Sequence, residues 1–336
     1  MTTVDRPLLM VAMLAAMAAS PGAADAQTPS GVVWASVEAT TAPTARHENG
    51  MAAVAGRLYL IGGRGDRPLE RFDPTTGAWV RLAPPPLRLH HLQAVALDGR
   101  IFVVSAFTGD FPEETPISHV LIYDPATDAW SQGPEIPLER RRGASGVVAH
   151  EGRIYVVGGN RRGHMSGYVP WLDVLDPSTG DWTVLPDAPN ARDHFHAAVI
   201  DGRIYAAGGR RSSHDTGEGM SLPVAAVDVF DIASGRWRTL AEPLPTLRSG
   251  TSAIVQDGAL LIIGGESLDQ QAAHAEVERL NVATGAWTRL PPLPVGRHGT
   301  QAVSIDGAIH IVAGSGNRGG GPELDDHQTL ANVLAR

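Results

Sequence analysis

Two phrases in one stretch of the chain decide the fold: GRIYVVGG at residues 152–159 and DPSTGDW at residues 176–182. The first phrase has the pattern of a short β-strand and ends in a glycine pair, which is typical of a strand that stops where another backbone comes close. The second phrase starts with Asp-Pro, a turn signal, and leads into Trp182. This stretch therefore predicts short strands joined by tight turns.

Both phrases return along the chain at nearly constant spacing. The second phrase recurs at intervals of 50 to 55 residues, with its aromatic residue at Trp79, Trp130, Trp182, Trp237 and Trp287. The glycine phrase is clear at residues 56–63, 152–159, 202–209 and 258–265, and it is altered at residues 99–106 (GRIFVVSA) and 307–314 (GAIHIVAG). Six copies with a period near 50 residues indicate a propeller or a similar repeat array.

Each copy is long enough for four short strands. In the third copy we predict them at Ser145–Ala149, Arg153–Val157, Leu172–Leu175 and around Trp182. Four strands with a glycine pair and an aromatic residue correspond to one blade of a β-propeller. The glycines allow neighbouring blades to approach near the axis, and the tryptophan fills the wider space farther out.

The glycine pair after a strand, followed by the D-P-x-T/S-x-x-W phrase, resembles the kelch repeat, and the resemblance covers about residues 31–336. It implies an all-β fold: a six-bladed kelch β-propeller with four-stranded antiparallel blades. It does not specify a function, because kelch propellers include enzymes, adaptors and scaffolds. Galactose oxidase has this fold but requires a cysteine cross-linked to tyrosine, and this chain has no cysteine.

The ends of the chain predict how the ring closes. Trp34 lies well before the first glycine pair, whereas the last altered pair, Ala313-Gly314, has no tryptophan after it. We therefore expect Val32–Ser36 to form the outer strand of the sixth blade, whose other strands come from the C-terminus. A final strand near Asn332–Ala335 would lie beside it.

The first 26 residues predict export. An apolar run at Leu8–Ala18 is too short to span a membrane, and it is followed by the small-x-small pattern Ala24-Asp25-Ala26. Together these features indicate a secretory signal peptide over residues 1–26. The expectation is a periplasmic or secreted protein in which residues 27–336 form one propeller, a monomer without membrane insertion.

Composition excludes one class of partner. The chain has 27 Lys and Arg against 36 Asp and Glu, for a formal net charge of −9. Proteins that bind nucleic acid gain affinity by neutralising phosphates with an excess of basic residues, so we predict no nucleic-acid binding. The absence of cysteine also excludes disulfides and thiolate metal sites.

One repeat position is rich in arginine. Ten residues before each turn glycine, five of the six copies have arginine and the second has Leu89, next to Arg88. The five are Arg46, Arg142, Arg192, Arg248 and Arg297. By resemblance, this position opens the innermost strand, which predicts a basic ring at one mouth of the channel. The alternative is that these arginines bridge blades through backbone carbonyls.

Residues outside the repeat pattern are further candidates for the same mouth. The positions after the glycine pairs include Arg64, Phe107, Asn160, Arg210 and Glu266, and His90 lies beside the ring. Four long inserts are expected to wall a site, with Trp171 available to stack on a sugar: Phe107–Ser118, Arg161–Pro170, Arg211–Pro223 and Leu268–His274.

These residues favour binding of an anion, either an acidic sugar or another small molecule, or an acidic peptide or protein, because guanidinium groups bind carboxylates in a bidentate manner. The alternative is a mutarotase or epimerase acting on an acidic sugar, by distant similarity in layout to propellers of the N-acetylneuraminate epimerase type. Glu266 would then be the acid or base, with His194 or His298 as its partner. We assign no cofactor and no metal, since His90, His91, His47 and His298 would bind one only if they converged.

Overall fold

The computed structural model describes residues 1–2 and 32–332, and the strands in this part form six four-stranded antiparallel sheets. Regular helix within the described residues is limited to two 3₁₀ turns, Leu138–Arg140 and His214–Thr216. No helix found there is long and apolar enough to cross a membrane. The predicted signal peptide and its cleavage site lie outside the described residues, apart from Met1 and Thr2.

The strands are numbered β1–β28 in chain order, and each blade is given from its innermost strand outward. The first blade consists of β2 (Asn49–Val54), β3 (Arg57–Gly62), β4 (Leu69–Asp73) and β5 (Ala78–Leu82). The second consists of β6 (Val95–Leu97), β7 (Arg100–Val103), β10 (His119–Asp124) and β11 (Ala129–Glu135). The third consists of β12 (Gly146–His150), β13 (Arg153–Val157), β16 (Leu172–Asp176) and β17 (Asp181–Leu185).

The fourth blade consists of β18 (Ala197–Ile200), β19 (Arg203–Ala206), β20 (Asp228–Asp231) and β21 (Arg236–Thr239). The fifth consists of β22 (Ser252–Gln256), β23 (Ala259–Ile263), β24 (Val277–Leu280) and β25 (Trp287–Leu290). The sixth consists of β26 (Ala302–Ile305), β27 (Ala308–Val312), β28 (His327–Asn332) and β1 (Val32–Ser36). Two small hairpins lie in the inserts: β8 (Phe107–Thr108) with β9 (Thr115–Pro116), and β14 (Asn160–Arg162) with β15 (Ser166–Tyr168).

The six innermost strands form a ring in which each contacts the inner strands of both neighbouring blades. Their apolar side chains pack between the sheets, so the core lies between successive blades rather than in one centre. The strands predicted for the third blade lie within one or two residues of those observed. The predicted six-bladed, all-β propeller is confirmed.

Ring closure follows the prediction from the ends of the chain. β1 pairs antiparallel with β28, with Trp34 opposite Leu330. The Trp34 side chain is buried, and its indole Nε1 donates to the Pro291 carbonyl at 3.1 Å. The last strand of the described residues spans His327–Asn332, which begins five residues before the expected start at Asn332, and residues 333–335 of the expected range lie outside the described residues. The sixth unit lacks the Asp-Pro turn that marks the start of the outer strand in other units. The sequence therefore did not show that Leu330 is the residue that packs beside Ile309 and Trp34.

The glycine pairs lie where neighbouring blades meet. Gly62 and Gly63 have φ of 65° and 113°, a region that favours glycine. Gly63 N–H donates to the carbonyl of Leu89 in the next blade at 2.8 Å, and a Cβ on Gly62 would collide with that same carbonyl. The glycine pair therefore permits a backbone hydrogen bond between blades.

The five repeat arginines lie inside the blades, with 0–3% of their surface exposed. Each donates to the carbonyl of the residue sixteen positions later, namely Gly62, Gly158, Gly208, Gly264 or Ala313. Each also pairs with a carboxylate at the third strand of its blade: Glu70, Asp173, Asp228, Glu278 or Asp326. The prediction that Arg46, Arg142, Arg192, Arg248 and Arg297 form a ligand-binding ring was therefore wrong, since their guanidiniums are engaged within the protein.

The second blade shows the same design without charge. Leu89 replaces the arginine, and Leu121 lies three residues before the turn aspartate, where other blades have an acid. Both leucines are buried in one apolar cluster. Because one partner of a buried ion pair is costly without the other, the paired change indicates a structural role for this position.

Candidate functional site

A second ring lies at the centre of the propeller, two residues after each repeat arginine position. All six residues there have left-handed backbone, with φ between 53° and 63°: Glu48, His91, Ala144, His194, Gly250 and Gly299. Backbone hydrogen bonds of 2.6–3.0 Å link consecutive members, from His91 N–H to the Glu48 carbonyl and onward to Gly299. We call these six residues the axial ring.

The composition of the axial ring is uneven. Gly250 and Gly299 suit the left-handed conformation, whereas Glu48, His91, Ala144 and His194 adopt it although it is uncommon for residues with a side chain. Of these four, Glu48, His91 and His194 have side chains that can bind a ligand or exchange a proton, so they are the strongest candidates for function.

A cavity of about 430 Å³ lies against the axial ring. Its lining combines charged and apolar groups: His47, Glu48, Arg64, Phe111, His164, Arg210, His214, Met220, Glu266, Gly319 and Gly320. Three of the four predicted insert loops contribute to this wall. The insert Leu268–His274 does not, and the glycine-rich segment 316–321 of the sixth blade takes its place.

Two histidines face each other at the edge of the cavity, each backed by a carboxylate. His194 Nδ1 lies 2.5 Å from Asp193 Oδ1, and His164 Nδ1 lies 2.9 Å from Glu114 Oε1. The Nε2 atoms of the two rings are 3.0 Å apart. All four side chains are buried, so this arrangement is shielded from bulk water.

A third histidine approaches from the second blade. His91 Nδ1 lies 2.7 Å from His90 Nδ1, and His90 Nε2 donates to the Gly109 carbonyl at 2.9 Å. His91 Nε2 is buried without a hydrogen-bond partner among the described residues, and it lies 3.3 Å from Glu48 Oε2. His90 was predicted to bind ligand, but both of its ring nitrogens are engaged within the protein, by His91 and by the Gly109 carbonyl.

Burial and neighbouring charges set the protonation of these groups. Burial and Arg64 lower the pKa of His91 well below its usual value, and burial and Arg210 lower that of His194 to about 4. Burial opposes ionisation of Asp193, but the contacts with His194 and Arg210 outweigh it and lower this pKa to about 2. At neutral pH the two imidazoles are neutral and the carboxylate is charged.

Asp193 is held by several donors. Its Oδ2 accepts from the Asn160 amide at 3.0 Å and from the Ser212 backbone N–H at 3.0 Å, and its Oδ1 accepts from the Ser212 hydroxyl at 2.7 Å. Asn160 is completely buried. The sequence placed Asn160 in contact with ligand, but the structure places it behind Asp193.

Two arginines outside the repeat position retain free donors at the cavity. Arg64 Nη2 donates to Glu114 at 2.6 Å, and Arg210 donates from Nε to Ser212 and from Nη1 to Ser249 and Glu266. Among residues 32–332, Nε and Nη1 of Arg64 and Nη2 of Arg210 have no hydrogen-bond partner, and both residues line the cavity. These are the predicted arginines that a ligand in the cavity can contact.

Glu266 and His298 lie together on the opposite side. Glu266 pairs with Arg210 at 2.5 Å and accepts from Gly319 N–H at 2.8 Å. Burial opposes its ionisation, but His298 and Arg210 outweigh that effect and lower the Glu266 pKa to about 2. His298 Nε2 donates to the Asn317 carbonyl at 2.8 Å and lies 3.4 Å from Glu266. A carboxyl with such a low pKa is a poor acid or base at neutral pH, which weakens its predicted catalytic role.

Two predicted aromatic contacts lie elsewhere. Phe107 is fully buried, with its ring near those of His90 and His91. Trp171 lies under the Arg140 guanidinium at 4.0 Å and does not line the cavity. Both side chains support the fold around the site.

The sequence-based candidates omitted Glu48 and Asp193. A signal for Glu48 was present, because aligning the six copies two residues after the repeat arginine gives three small residues and three reactive ones. Asp193 follows a repeat arginine and precedes His194, but its contact with Ser212 and Asn160 depends on loops whose path the repeat does not specify.

Comparison with known proteins agrees with this architecture. The family described as Attractin/LZTR1 beta-propeller matches residues 28–271. Kelch-like protein terF of Aspergillus terreus is 28% identical over 259 residues, which cover 72% of this chain and 55% of that protein. Kelch repeat and BTB domain-containing protein 13 of Homo sapiens is 31% identical over 163 residues, covering 47% of this chain and 33% of that protein.

The match spans about a third to half of the length of these two curated relatives. The solved structure of YjhT superimposes with a TM-score of 0.72 at 17% identity, covering 86% of this chain and 95% of that chain. At this identity the likeness concerns the fold alone. The chain belongs to the Attractin/LZTR1 beta-propeller family and is a kelch-repeat β-propeller.

Proposed function

We propose that this propeller binds a small anionic molecule, a carboxylate-bearing sugar being the favoured class, in the cavity against the axial ring. The observation that carries the proposal is the contrast between two sets of arginines. The five repeat arginines are engaged with carbonyls and carboxylates, whereas Arg64 and Arg210 line the cavity and have guanidinium N–H groups without a partner among the described residues. Guanidinium donors at a partly buried site are well suited to a carboxylate.

The size of the cavity supports a small ligand. A volume of about 430 Å³ lies in the range of small-molecule sites, and apolar walls such as Phe111 and Met220 alternate with charged groups. Kelch-type propellers commonly bind protein partners, and the similarity to kelch-like relatives is consistent with this more general role. An acidic peptide would reach this cavity with one side chain or a terminus only.

A thermal-shift assay tests the proposal. The assay is run with a chelator, so that divalent metal ions do not contribute to binding. We expect glucuronate to raise the melting temperature more than glucose does, because a ligand that binds the folded state stabilises it. The Arg64→Ala variant should weaken glucuronate binding ten- to a hundredfold, since a charged hydrogen bond contributes about 1.5–3 kcal/mol.

Arg88→Ala is the matched control, because Arg88 forms an exposed pair with Asp66 outside the cavity. It should leave glucuronate binding unchanged. Equal shifts with glucose and glucuronate, or equal binding by the Arg64 and Arg88 variants, would contradict the proposal. An acidic peptide that shifts the melting temperature while glucuronate does not would favour the protein-binding role.

A second candidate is an enzyme that opens or epimerises an acidic sugar, and Glu48 is the observation that favours it. Its carboxylate lines the cavity and has no hydrogen-bond partner among the residues described. Burial opposes its ionisation, but His298 and His47 outweigh that effect, so the pKa of Glu48, like that of Glu266, is below its usual value. Glu48 is favoured over Glu266 because Arg210 and Gly319 N–H occupy the oxygens of Glu266, whereas Glu48 has no such partner among the described residues. Glu48→Gln should abolish anomer interconversion measured by NMR while glucuronate binding persists. Unchanged interconversion would exclude Glu48 as the base.

We further propose that the protein acts outside the cytoplasm as a monomer. The support for export is the apolar run at Leu8–Ala18 with the small residues after it. Periplasmic fractionation and size-exclusion chromatography of the purified protein test the two parts separately.

A further inference from the structure

We propose that His91, His164 and His194 bind one divalent first-row transition-metal ion through their Nε2 atoms, with Glu48 beside it as a fourth protein group. Each of the three histidines offers a ring nitrogen within 4.8 Å of those of the other two. This site goes beyond the anion site proposed above and does not depend on it. It also departs from the sequence-based expectation, which assigned no metal.

The hydrogen bonds fix which nitrogen each ring offers. Carboxylate oxygens of Asp193 and Glu114 face Nδ1 of His194 and His164, and an ionised carboxylate can only accept. Each Nδ1 therefore holds a proton, and in the neutral form of each ring Nε2 keeps a free lone pair.

The third ring is fixed through its neighbour. The Gly109 carbonyl can only accept, so His90 Nε2 holds a proton and His90 Nδ1 is left to accept from His91 Nδ1. His91 Nε2 therefore also has a free lone pair, and it is buried without a partner in the described part of the chain. Each of the three rings thus has a hydrogen-bond partner at Nδ1 that leaves its Nε2 available, and one ring nitrogen of each histidine lies within 4.8 Å of those of the other two.

Without a cation, this arrangement brings acceptors together. The Nε2 atoms of His164 and His194 are 3.0 Å apart, and Nε2 of His91 lies 3.3 Å from the Glu48 carboxylate. Both contacts oppose lone pairs in a buried environment, where unpaired polar groups are costly. A metal ion coordinated by these atoms would relieve both contacts at once.

The surroundings have the organisation of a metal site. Ligating histidines usually donate their other N–H to a carboxylate or a backbone carbonyl, as His194, His164 and, through His90, His91 do here. Imidazole nitrogens favour zinc, copper, iron and nickel over calcium and magnesium, which prefer oxygen ligands. His164 and Glu48 also line the cavity, which provides access for the ion.

The axial ring places two of the three histidines, His91 and His194, at equivalent positions of the second and fourth blades, with φ of 54° and 53°. A bound divalent ion would add positive charge to a lining in which Glu48 and Glu266 balance Arg64 and Arg210.

Metal titration of the purified, chelator-treated protein tests the inference. Isothermal titration with ZnCl₂ should give one site per chain, and CoCl₂ should produce visible absorption bands of a coordinated ion. His194→Gly and His91→Gly should each weaken zinc binding at least a hundredfold. Glycine is the replacement because Gly250 and Gly299 hold the equivalent positions, so the backbone accommodates it.

His310→Asn is the matched control. His310 Nδ1 lies 2.9 Å from His327 Nε2 in the sixth blade, a histidine pair without a third histidine beside it among the described residues. This variant should bind zinc like the parent. Circular dichroism and the melting temperature of the metal-free proteins report whether each variant folds.

His164→Gln provides a second decision if a glycine variant fails to fold, because His164 lies in the turn of the β14–β15 hairpin, outside the propeller sheets. The inference is overturned if the parent binds neither zinc nor cobalt, or if a folded His164, His91 or His194 variant binds them as the parent does. Because glucuronate binding is measured in the presence of chelator, it is independent of metal binding. Failure of the protein to bind zinc or cobalt would therefore leave the glucuronate result valid, and failure to bind glucuronate would leave the metal result valid.

Discussion

The buried ion pair between Arg248 and Glu278 allows a sharp test of why arginine recurs in five blades. Arg248 Nη1 lies 2.5 Å from Glu278 Oε2, and both side chains are fully buried. Replacing Glu278 by leucine leaves the guanidinium buried without a counter-charge. Removal of one partner from a buried pair typically costs 3–5 kcal/mol, so Glu278→Leu should lower the free energy of unfolding by about that amount.

Replacing both residues should cost less than either single change. The second blade already has Leu89 and Leu121 at these positions, so the fold accepts an apolar pair there. The double variant Arg248→Leu/Glu278→Leu loses the donors to the Gly264, Ile262 and Thr246 carbonyls, which limits its recovery. We expect a favourable coupling of at least about 2 kcal/mol between the two changes.

Equilibrium urea unfolding followed by tryptophan fluorescence measures these free energies for the parent, both single variants and the double variant. The control is Arg88→Leu/Asp66→Leu, since that pair is exposed and Asp66 accepts hydrogen bonds from Arg88 alone among the described residues, so the change should alter stability by less than about 1 kcal/mol. If the double variant at Arg248 and Glu278 loses the sum of the two single losses, the reasoning about the repeat position is refuted.

Three further results are expected. Deleting residues 27–40 removes β1 and exposes the edge of β28, so it should cost more than the roughly 3–5 kcal/mol typical of losing a buried tryptophan; equal melting of the truncated and parent proteins would contradict ring closure by Trp34. A tagged precursor made in a Gram-negative host should be recovered from the periplasm shortened by 26 residues, and full-length protein in the cytosol would contradict export. The pKa of Glu266 is lowered to about 2, so its charged form contributes stability that is present above about pH 4.5 and is lost as the pH falls toward 2. Glu266→Gln should therefore lose less stability than the parent over that interval in urea unfolding at each pH, and parallel curves would exclude this contribution.

The sequence alone was sufficient for the blades and for ring closure. Turn and strand signals such as Asp176-Pro177 and Arg153–Val157 act over a few residues, and their sixfold repetition makes each copy support the others. The missing tryptophan of the last unit and the extra Trp34 also predicted closure without tertiary information. The start of the last strand was misplaced because its unit lacks the local turn that sets the register.

The local sequence pattern could not predict in which direction the side chain at a repeat position points. Arg46 and its equivalents turn inward because a carbonyl sixteen residues away and a carboxylate on the third strand meet there. Only the paired loss of charge at Leu89 and Leu121 indicated this in the sequence. The shared repeat position indicated that the five arginines have the same role. The surrounding carbonyls and carboxylates decided that this role is bonding within the blade and not ligand binding.

The candidate site was decided by tertiary structure. His91, His164 and His194 come from three different repeat units, and no spacing between them reflects a common ligand. Each unit specifies its own strands through neighbouring residues, whereas the distance between the three imidazoles depends on the curvature and closure of the ring and on the path of the insert loops. Short-range interactions thus determined the blades from sequence, and the closed ring of six blades determined which side chains share a cavity.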